Sequence, residues 1–341
     1  MRRAVVLFNL GGPDSLDAVR PFLFNLFNDK AIFRLPQPFR SWLAAFVAKR
    51  RAPTAVKIYE HLGGASPLLP NTEAQAAALH AALGGGLEDK VFIAMRYWHP
   101  FTAQTIADVQ AWNPDQIVLL PLYPQFSSTT TESSLGAWRE TARAFGLKTP
   151  TRTVCCYPTA DGFIAAAADL IAETLAEQPA DARPRLLLSA HGLPETVVKN
   201  GDPYQFQCER TAAAIVERLA IPDLDWAICY QSRVGPLKWI GPSTDEEIRR
   251  AGRDGVAVVV APIAFVSEHS ETLVEIEIDY RKLAAEVGVP RFFRVPAVGA
   301  SPSYIQALAA LVDRASASDA PCVSESGRRF CPAGSTACPM R

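Results

Sequence analysis

The chain has almost no net charge: 34 Lys and Arg against 35 Asp and Glu leave −1 over 341 residues. Without a basic surplus to neutralise phosphates, nothing favours nucleic acid as a partner. Long hydrophobic runs are also missing. The longest, at 256–266, is well short of the roughly 20 residues that span a bilayer as a helix. Met1-Arg2-Arg3 and the apolar stretch after it begin like a secretory signal, but Asn9-Leu10-Gly11-Gly12-Pro13 cuts that stretch short. A first strand is the expectation there, and a cytoplasmic location the default. The 7 cysteines are an odd number without regular spacing across the body of the chain, which argues against a secreted disulfide framework. No nucleotide signature occurs. Gly11-Gly12 and Gly63-Gly64 match neither G-x-G-x-x-G nor a P-loop, and read as tight turns. No flexible linker divides the chain.

What is present describes a globular protein: 49% hydrophobic and 20% charged residues, on a chain long enough for two domains. Apolar runs at 4–10, 91–95, 116–120, 153–156, 185–189, 226–230, 256–261 and 292–295 read as strands. Most are continuous rather than alternating, as in parallel sheets covered on both faces. Helical patterns lie between them. The expected fold is α/β: two similar doubly wound, Rossmann-like halves, each with a four-stranded parallel sheet, facing across an active-site cleft. The expected boundaries are 1–157, 158–314 and a cysteine-bearing tail at 315–341.

Segments following the strands are rich in polar and aromatic residues: Asn9-Leu10-Gly11-Gly12-Pro13, Arg96-Tyr97-Trp98-His99-Pro100, Ser189-Ala190-His191-Gly192-Leu193-Pro194 and Gln231-Ser232-Arg233. In this architecture they share the carboxyl rim of the sheets, where ligands bind. After the run at 256–261, Glu268, Glu271, Glu275 and Asp279 fall at steps of three, four and four. On one α-helix that is a single row, with Ser267 or Ser270 available as its cap. Such a row is either a solvated face or a path for a divalent cation or protons into a cleft. The segment at 22–51 carries an excess of Phe, Leu, Ile and Trp and ends in Lys49-Arg50-Arg51. Part reads as core helices; the excess reads as an apolar lip for a flat hydrophobic ligand or a membrane surface. Of the five histidines, His191 stands at the rim; His269 reads as serving the helix start.

Three stretches together resemble the ferrochelatase family: Leu187-Leu188-Ser189-Ala190-His191-Gly192-Leu193-Pro194, Tyr230-Gln231-Ser232-Arg233-Val234-Gly235-Pro236-Leu237-Lys238-Trp239-Ile240-Gly241-Pro242, and Phe265-Val266-Ser267-Glu268-His269-Ser270-Glu271-Thr272-Leu273-Val274-Glu275. Asn9-Leu10-Gly11-Gly12-Pro13, Gly63-Gly64-Ala65-Ser66-Pro67 and Arg96-Tyr97 are similar to the family's N-terminal motifs. The resemblance implies insertion of Fe²⁺ into protoporphyrin IX with release of two protons. It puts catalysis and Fe²⁺ contact on His191 and Glu271, with Glu275 and Asp279 continuing the acidic row. It surrounds the macrocycle with Asn9, Leu10, Tyr59, Arg96, Tyr97, Trp239 and Phe265, and makes 22–42 the lip of the pocket. Whether His191 accepts a proton or holds iron stays open. The rival readings are a chelatase for coproporphyrin III or another metal, and a non-catalytic tetrapyrrole or haem carrier, which needs the pocket but not the acids. Monomer and homodimer are both compatible, as is a peripheral place on a membrane.

The tail contains Cys322, Cys331 and Cys338 among Ser, Gly, Ala and Pro. It buries little by itself, and a metal site is one way to fix it. The C-terminal cysteine clusters of some family members favour a [2Fe–2S] cofactor; zinc or idle thiols are the alternatives. A family ligand position after the third strand is occupied by Ser128, so the fourth ligand is expected from Cys155 or Cys156. Adjacent strand residues face opposite ways, and only one of the two is expected to point at the tail.

Overall fold

The computed structural model describes residues 1–177, 183–233, 235 and 237–340; Val234 and Pro236 of the second motif lie outside them. The chain forms two compact units. The first takes Met1–Cys156, Leu308–Arg328 and Met340; the second takes Tyr157–Ala307 and Arg329–Pro339.

The first unit is built on β1 (Arg3–Asn9), β2 (Asp89–Met95), β3 (Gln116–Pro121) and β4 (Thr151–Val154), all parallel, in the order β2-β1-β3-β4. The side chains of β1 and β3, the central strands, are almost all buried because helices cover them. Ala4, Val6 and Phe8, alternate residues of β1, pack with Ile106 and Val109 of the helix Thr102–Trp112 and with Leu135 and Trp138 of the helix Thr131–Ala144. Each large apolar side chain so buried contributes about 1.5–3 kcal/mol.

The sheet has a fifth strand where four were expected. Residues 322 and 323 pair in parallel with β4, Thr153 opposite Cys322 and Val154 opposite Val323. A two-residue strand has no apolar run to detect. Backbone groups hold it, Thr153 N–H donating to Pro321 O and Cys155 N–H to Val323 O. The strand numbered β9 (Cys322–Val323) thus caps an otherwise open sheet edge.

The second unit carries β5 (Arg185–His191), β6 (Trp226–Gln231), β7 (Val258–Pro262) and β8 (Phe292–Arg294), parallel, in the order β6-β5-β7-β8. Leu187, Val258 and Val260 meet Ile248, Ala251, Ile276, Tyr280 and Leu283 in one core. The register sets His191 opposite Gln231 and Ser189 opposite Pro262, so β5, β6 and β7 end together and align their outgoing loops.

Glu271–Tyr280 is a π-helix, continued by the α-helix Arg281–Glu286. No side chain caps its start, against the expectation of a serine cap. In a π-helix the bonds run i→i+5, and the single row expected from α-helical spacing is not seen: Glu275 turns to Ser232 and Tyr280. Glu268 precedes the helix altogether and Asp279 ends exposed.

The 22–51 segment divides likewise. Phe22 and Leu23, in the helix Val19–Phe27, are buried with Tyr59 and Tyr97. The exposed apolar residues are Ile32, Leu35, Phe39, Trp42 and Phe46, the last three on the helix Phe39–Glu60. The exposed apolar residues of the segment thus lie at 32–46 rather than throughout the 22–42 expected as a lip. No helix of the described residues is long and apolar enough to cross a membrane.

Candidate active site

In the second unit, the ends of β5 and β6 and the start of the π-helix bring three titratable side chains together. His191 Nε2 lies 3.8 Å from Glu271 Oε1, and His269 Nε2 lies 3.9 Å from Glu271 Oε2. The carboxylate is therefore flanked by two imidazoles. His191 Nδ1 lies 2.6 Å from Gly192 O. A carbonyl only accepts, so Nδ1 carries the hydrogen and the neutral ring keeps its lone pair on Nε2, the atom facing Glu271. Glu271 Oε2 is buried without a hydrogen bond.

Phe265 packs on both rings, its centroid 4.5 Å from His269 and 6.3 Å from His191. Gly192 has no room to be anything else. A Cβ there would sit 2.9 Å from Gln231 O and 3.2 Å from the Trp239 ring. Trp239 is held beside β5's outgoing loop by an antiparallel bridge to Pro194.

His269 is the member sequence reasoning missed. Read as a helix-start residue, it is buried, and desolvation lowers its pKa while Glu271 and Glu268 pull the other way and His191 adds to the lowering. Its signal was available: His269 stands two residues before Glu271, at the start of the same helix.

Of the expected acids, only Glu275 stays with Glu271. Burial and the charge of Glu271 raise the Glu275 pKa, against hydrogen bonds from Ser232 and Tyr280 that lower it. Glu268 is bound elsewhere, by Arg294 Nη1 at 2.7 Å and the Ala297 N–H at 3.0 Å. Asp279 is exposed, and its carboxylate is not part of this group.

The expected ligand residues of the first unit form their own cluster. Asn9 O accepts from the Arg96 N–H and Leu10 O from the Tyr97 N–H, both at 2.9 Å. Asn9 Nδ2 donates to Thr72 Oγ1. Leu10 packs with the buried Tyr59 and Tyr97. Arg96 is engaged within the unit. Its Nη2 pairs with Asp29 at 2.8 Å and its Nε donates to Ser133 Oγ at 2.7 Å. The Tyr97 hydroxyl also donates to Asp29. Burial pushes the Asp29 carboxyl up, but Arg96, the Ala31 N–H, Ser133 and Tyr97 outweigh it and hold the pKa below its ordinary value. Arg96 and Asp29 line an open depression of about 780 Å³ with Lys30, Arg40 and Ser128.

The cysteines also depart from expectation. β4 ends at Val154, so strand alternation does not govern Cys155 and Cys156. Their sulfurs lie 3.4 Å apart, and both pack against Cys322 and Met340 beside Phe126. Hydrogen bonds with Cys156 and Cys322, then burial, push the Cys155 thiol pKa up. In the second unit, Cys331 and Cys338 are buried, and Gln207 Nε2 lies 3.1 Å from Cys331 Sγ. Among the described residues no three His, Cys, Asp or Glu side chains are arranged to hold a single metal ion.

Known proteins were compared with this chain. The ferrochelatase family model matches residues 2–316. A ferrochelatase of Caulobacter vibrioides is 55% identical over 342 residues, covering 99% of this chain and 97% of its own. A ferrochelatase of a Wolbachia endosymbiont of Drosophila simulans is 51% identical over 313 residues, covering 91% and 98%. Among solved structures, SirB from Bacillus subtilis with Fe³⁺ superposes with a TM-score of 0.55 at 14% identity, covering 93% of this chain and 96% of that one; it shares the fold. On these matches the chain belongs to the ferrochelatase family, the metal-chelating enzymes of haem biosynthesis.

Proposed function

We propose that this enzyme inserts Fe²⁺ into protoporphyrin IX, with His191 and Glu271 as the reacting pair. The reaction exchanges two pyrrole N–H protons for one Fe²⁺, with no change of oxidation state. It needs a base at the ring and a ligand that strips water from iron. The observation that carries the assignment is the His191–Glu271 separation of 3.8 Å, with the His191 lone pair on the facing nitrogen. That nitrogen can take a pyrrole proton or meet the metal. Glu271 stabilises the imidazolium if it forms, or completes the iron contact. Phe265 and Trp239 offer aromatic surface beside the pair, which suits a flat macrocycle.

Asn9, Leu10, Tyr59, Arg96 and Tyr97, which cluster within the first unit, are proposed as further porphyrin contacts. Arg96 is already neutralised by Asp29, so a propionate gains less from it than from an unpaired guanidinium. The test is anaerobic Fe²⁺ with protoporphyrin IX, following the fall of porphyrin fluorescence and the rise of the haem spectrum, with coproporphyrin III in parallel. Porphyrin that binds but is never metalated would leave a carrier. Faster metalation of coproporphyrin III would reassign the substrate.

The tail cysteines are proposed as ligands of a [2Fe–2S] cluster, with Cys322, Cys331 and Cys338 joined by Cys155. Soft thiol donors suit iron–sulfur chemistry. Ligands of a two-iron group stand further apart than those of a single ion, so the lack of a one-ion site does not weigh against it. When bound, the group supplies one-electron chemistry and fixes a segment with little core of its own. The exposed stripe of Phe39, Trp42 and Phe46 supports a peripheral contact with a membrane surface.

A further inference from the structure

Glu275 belongs to the acidic run that suggests a path for protons or iron, yet its carboxylate is surrounded by donors. Oε1 accepts from the Ser232 N–H at 2.8 Å and from the Tyr280 hydroxyl at 2.9 Å. Oε2 accepts from the Ser232 hydroxyl and from Gln231 Nε2 at 3.3 Å. A carboxylate has about four lone-pair sites; here four donors meet them, two on each oxygen. A metal ligand needs a free lone pair, and none is left; a proton relay needs a hydrogen bond to the reacting pair, and none of the four donors is His191 or Glu271.

The donors themselves lead back to the reacting pair. Gln231 Nε2 also donates to Glu271 O at 3.3 Å. The Gln231 carbonyl accepts from the Gly192 N–H at 2.8 Å, and the Gly192 carbonyl accepts from His191 Nδ1. Gln231 Oε1 is held from behind by the Ser189 hydroxyl, itself 3.1 Å from Thr244 Oγ1. Ser232 has φ +62°, left-handed backbone for a residue with a side chain. Such backbone persists where the surroundings over-determine it, and here both Ser232 donors converge on one carboxylate.

We propose that Glu275 is a positioning residue: clamped by Ser232, Gln231 and Tyr280, it fixes the spacing of His191 and Glu271 and does not itself carry protons or iron. The inference rests on His191 and Glu271 being the reacting pair. The acidic path then ends at Glu271, and Asp279 lies outside it.

The test is steady-state Fe²⁺ insertion by Glu275→Gln, Ser232→Ala, Tyr280→Phe and their combinations, with porphyrin affinity and thermal midpoint measured for each. Clamping predicts that Ser232→Ala and Tyr280→Phe each lower kcat about three- to tenfold, the scale of a lost hydrogen bond. KM for both substrates should stay near wild type, and the thermal midpoint should fall by no more than a few degrees, the stability cost of the same hydrogen bond. Added to Glu275→Gln, neither should lower kcat further, because the residues act as one unit. Ser232→Ala keeps the backbone donor and sits in a loop, so it stays informative if Tyr280→Phe folds poorly. A relay predicts the reverse. Freeing lone pairs by Ser232→Ala and Tyr280→Phe would leave kcat at or above wild type, while Glu275→Gln would fall as far as Glu271→Gln. That result overturns the proposal, as does wild-type kcat in all three single variants. His191→Ala and Glu271→Gln, run alongside, separate failure of the clamp from failure of the underlying pair.

Discussion

At the scale of single residues, the site is a competition between burial and charge. His191 and Glu271 are each partly exposed, while His269 behind them is not. His191→Ala and Glu271→Gln should each cost on the order of a hundredfold in kcat or more, as for a lost acid–base group. Porphyrin should still bind, as fluorescence quenching would report. Near-normal turnover in either variant would remove the pair from the chemistry. Asp29 makes a different prediction. Its folded pKa is depressed by Arg96 and three hydrogen bonds that together exceed the desolvation penalty. The sign follows: its contribution is fully present above the unfolded carboxylate value and is lost as pH falls through the lower folded value. Asp29→Ala leaves Arg96 without its partner. Because Arg96 keeps 24% of its side chain exposed, the cost belongs at the low end for a broken buried pair, on the order of 3 kcal/mol. Chemical denaturation at pH 7 measures it. A mutant that loses nothing at pH 7, or loses more at pH 3 than at pH 7, would contradict this account.

At the scale of elements, the strands were legible and the π-helix was not. Val258, Val259 and Val260 announce a buried strand by β-branching and continuity alone. Nothing in Glu271 to Tyr280 distinguishes i→i+5 from i→i+4 bonding, because both keep Ile276, Tyr280 and Leu283 toward the core. What the spacing missed was therefore not burial but the alignment of acids, with Glu268 drawn to Arg294 instead. The apolar lip shows a related limit. Composition located an excess of apolar residues but not which of them face out. Phe22 and Leu23 fill the core, whereas Phe39, Trp42 and Phe46, at steps of three and four on one helix, are 58%, 67% and 63% exposed. Replacing these three with Asp should lower liposome flotation strongly, with little effect on thermal stability since no core packing is lost. Unchanged flotation, with porphyrin affinity also intact, would make the stripe an ordinary surface.

At the scale of the whole molecule, strand–helix alternation was enough to anticipate two parallel-sheet units, because continuous apolar runs separated by helices have few other ways to be covered. The tail was harder. Its pairing with β4 depends on backbone carbonyls, those of Pro321 and Val323, which every residue carries, so no side-chain pattern betrays it. That pairing bears on the cysteines. With Cys322 opposite Thr153, and with Cys155 donating its own N–H to Val323, the tail thiol is carried to the end of β4. Cys155 is hydrogen-bonded to Cys322 as well as to Cys156, and it is proposed as the fourth donor on that contact. Protein purified without oxygen should be red-brown and hold iron and inorganic sulfide in equal amounts. Cys322→Ser, Cys331→Ser, Cys338→Ser and Cys155→Ser should each bleach it, and Cys156→Ser should leave most of the colour. Bleaching by Cys156→Ser but not Cys155→Ser would exchange the two roles. A colourless wild-type protein, with zinc or no metal at the tail, would end the cluster proposal and leave iron insertion by His191 and Glu271 to stand or fall on its own assay.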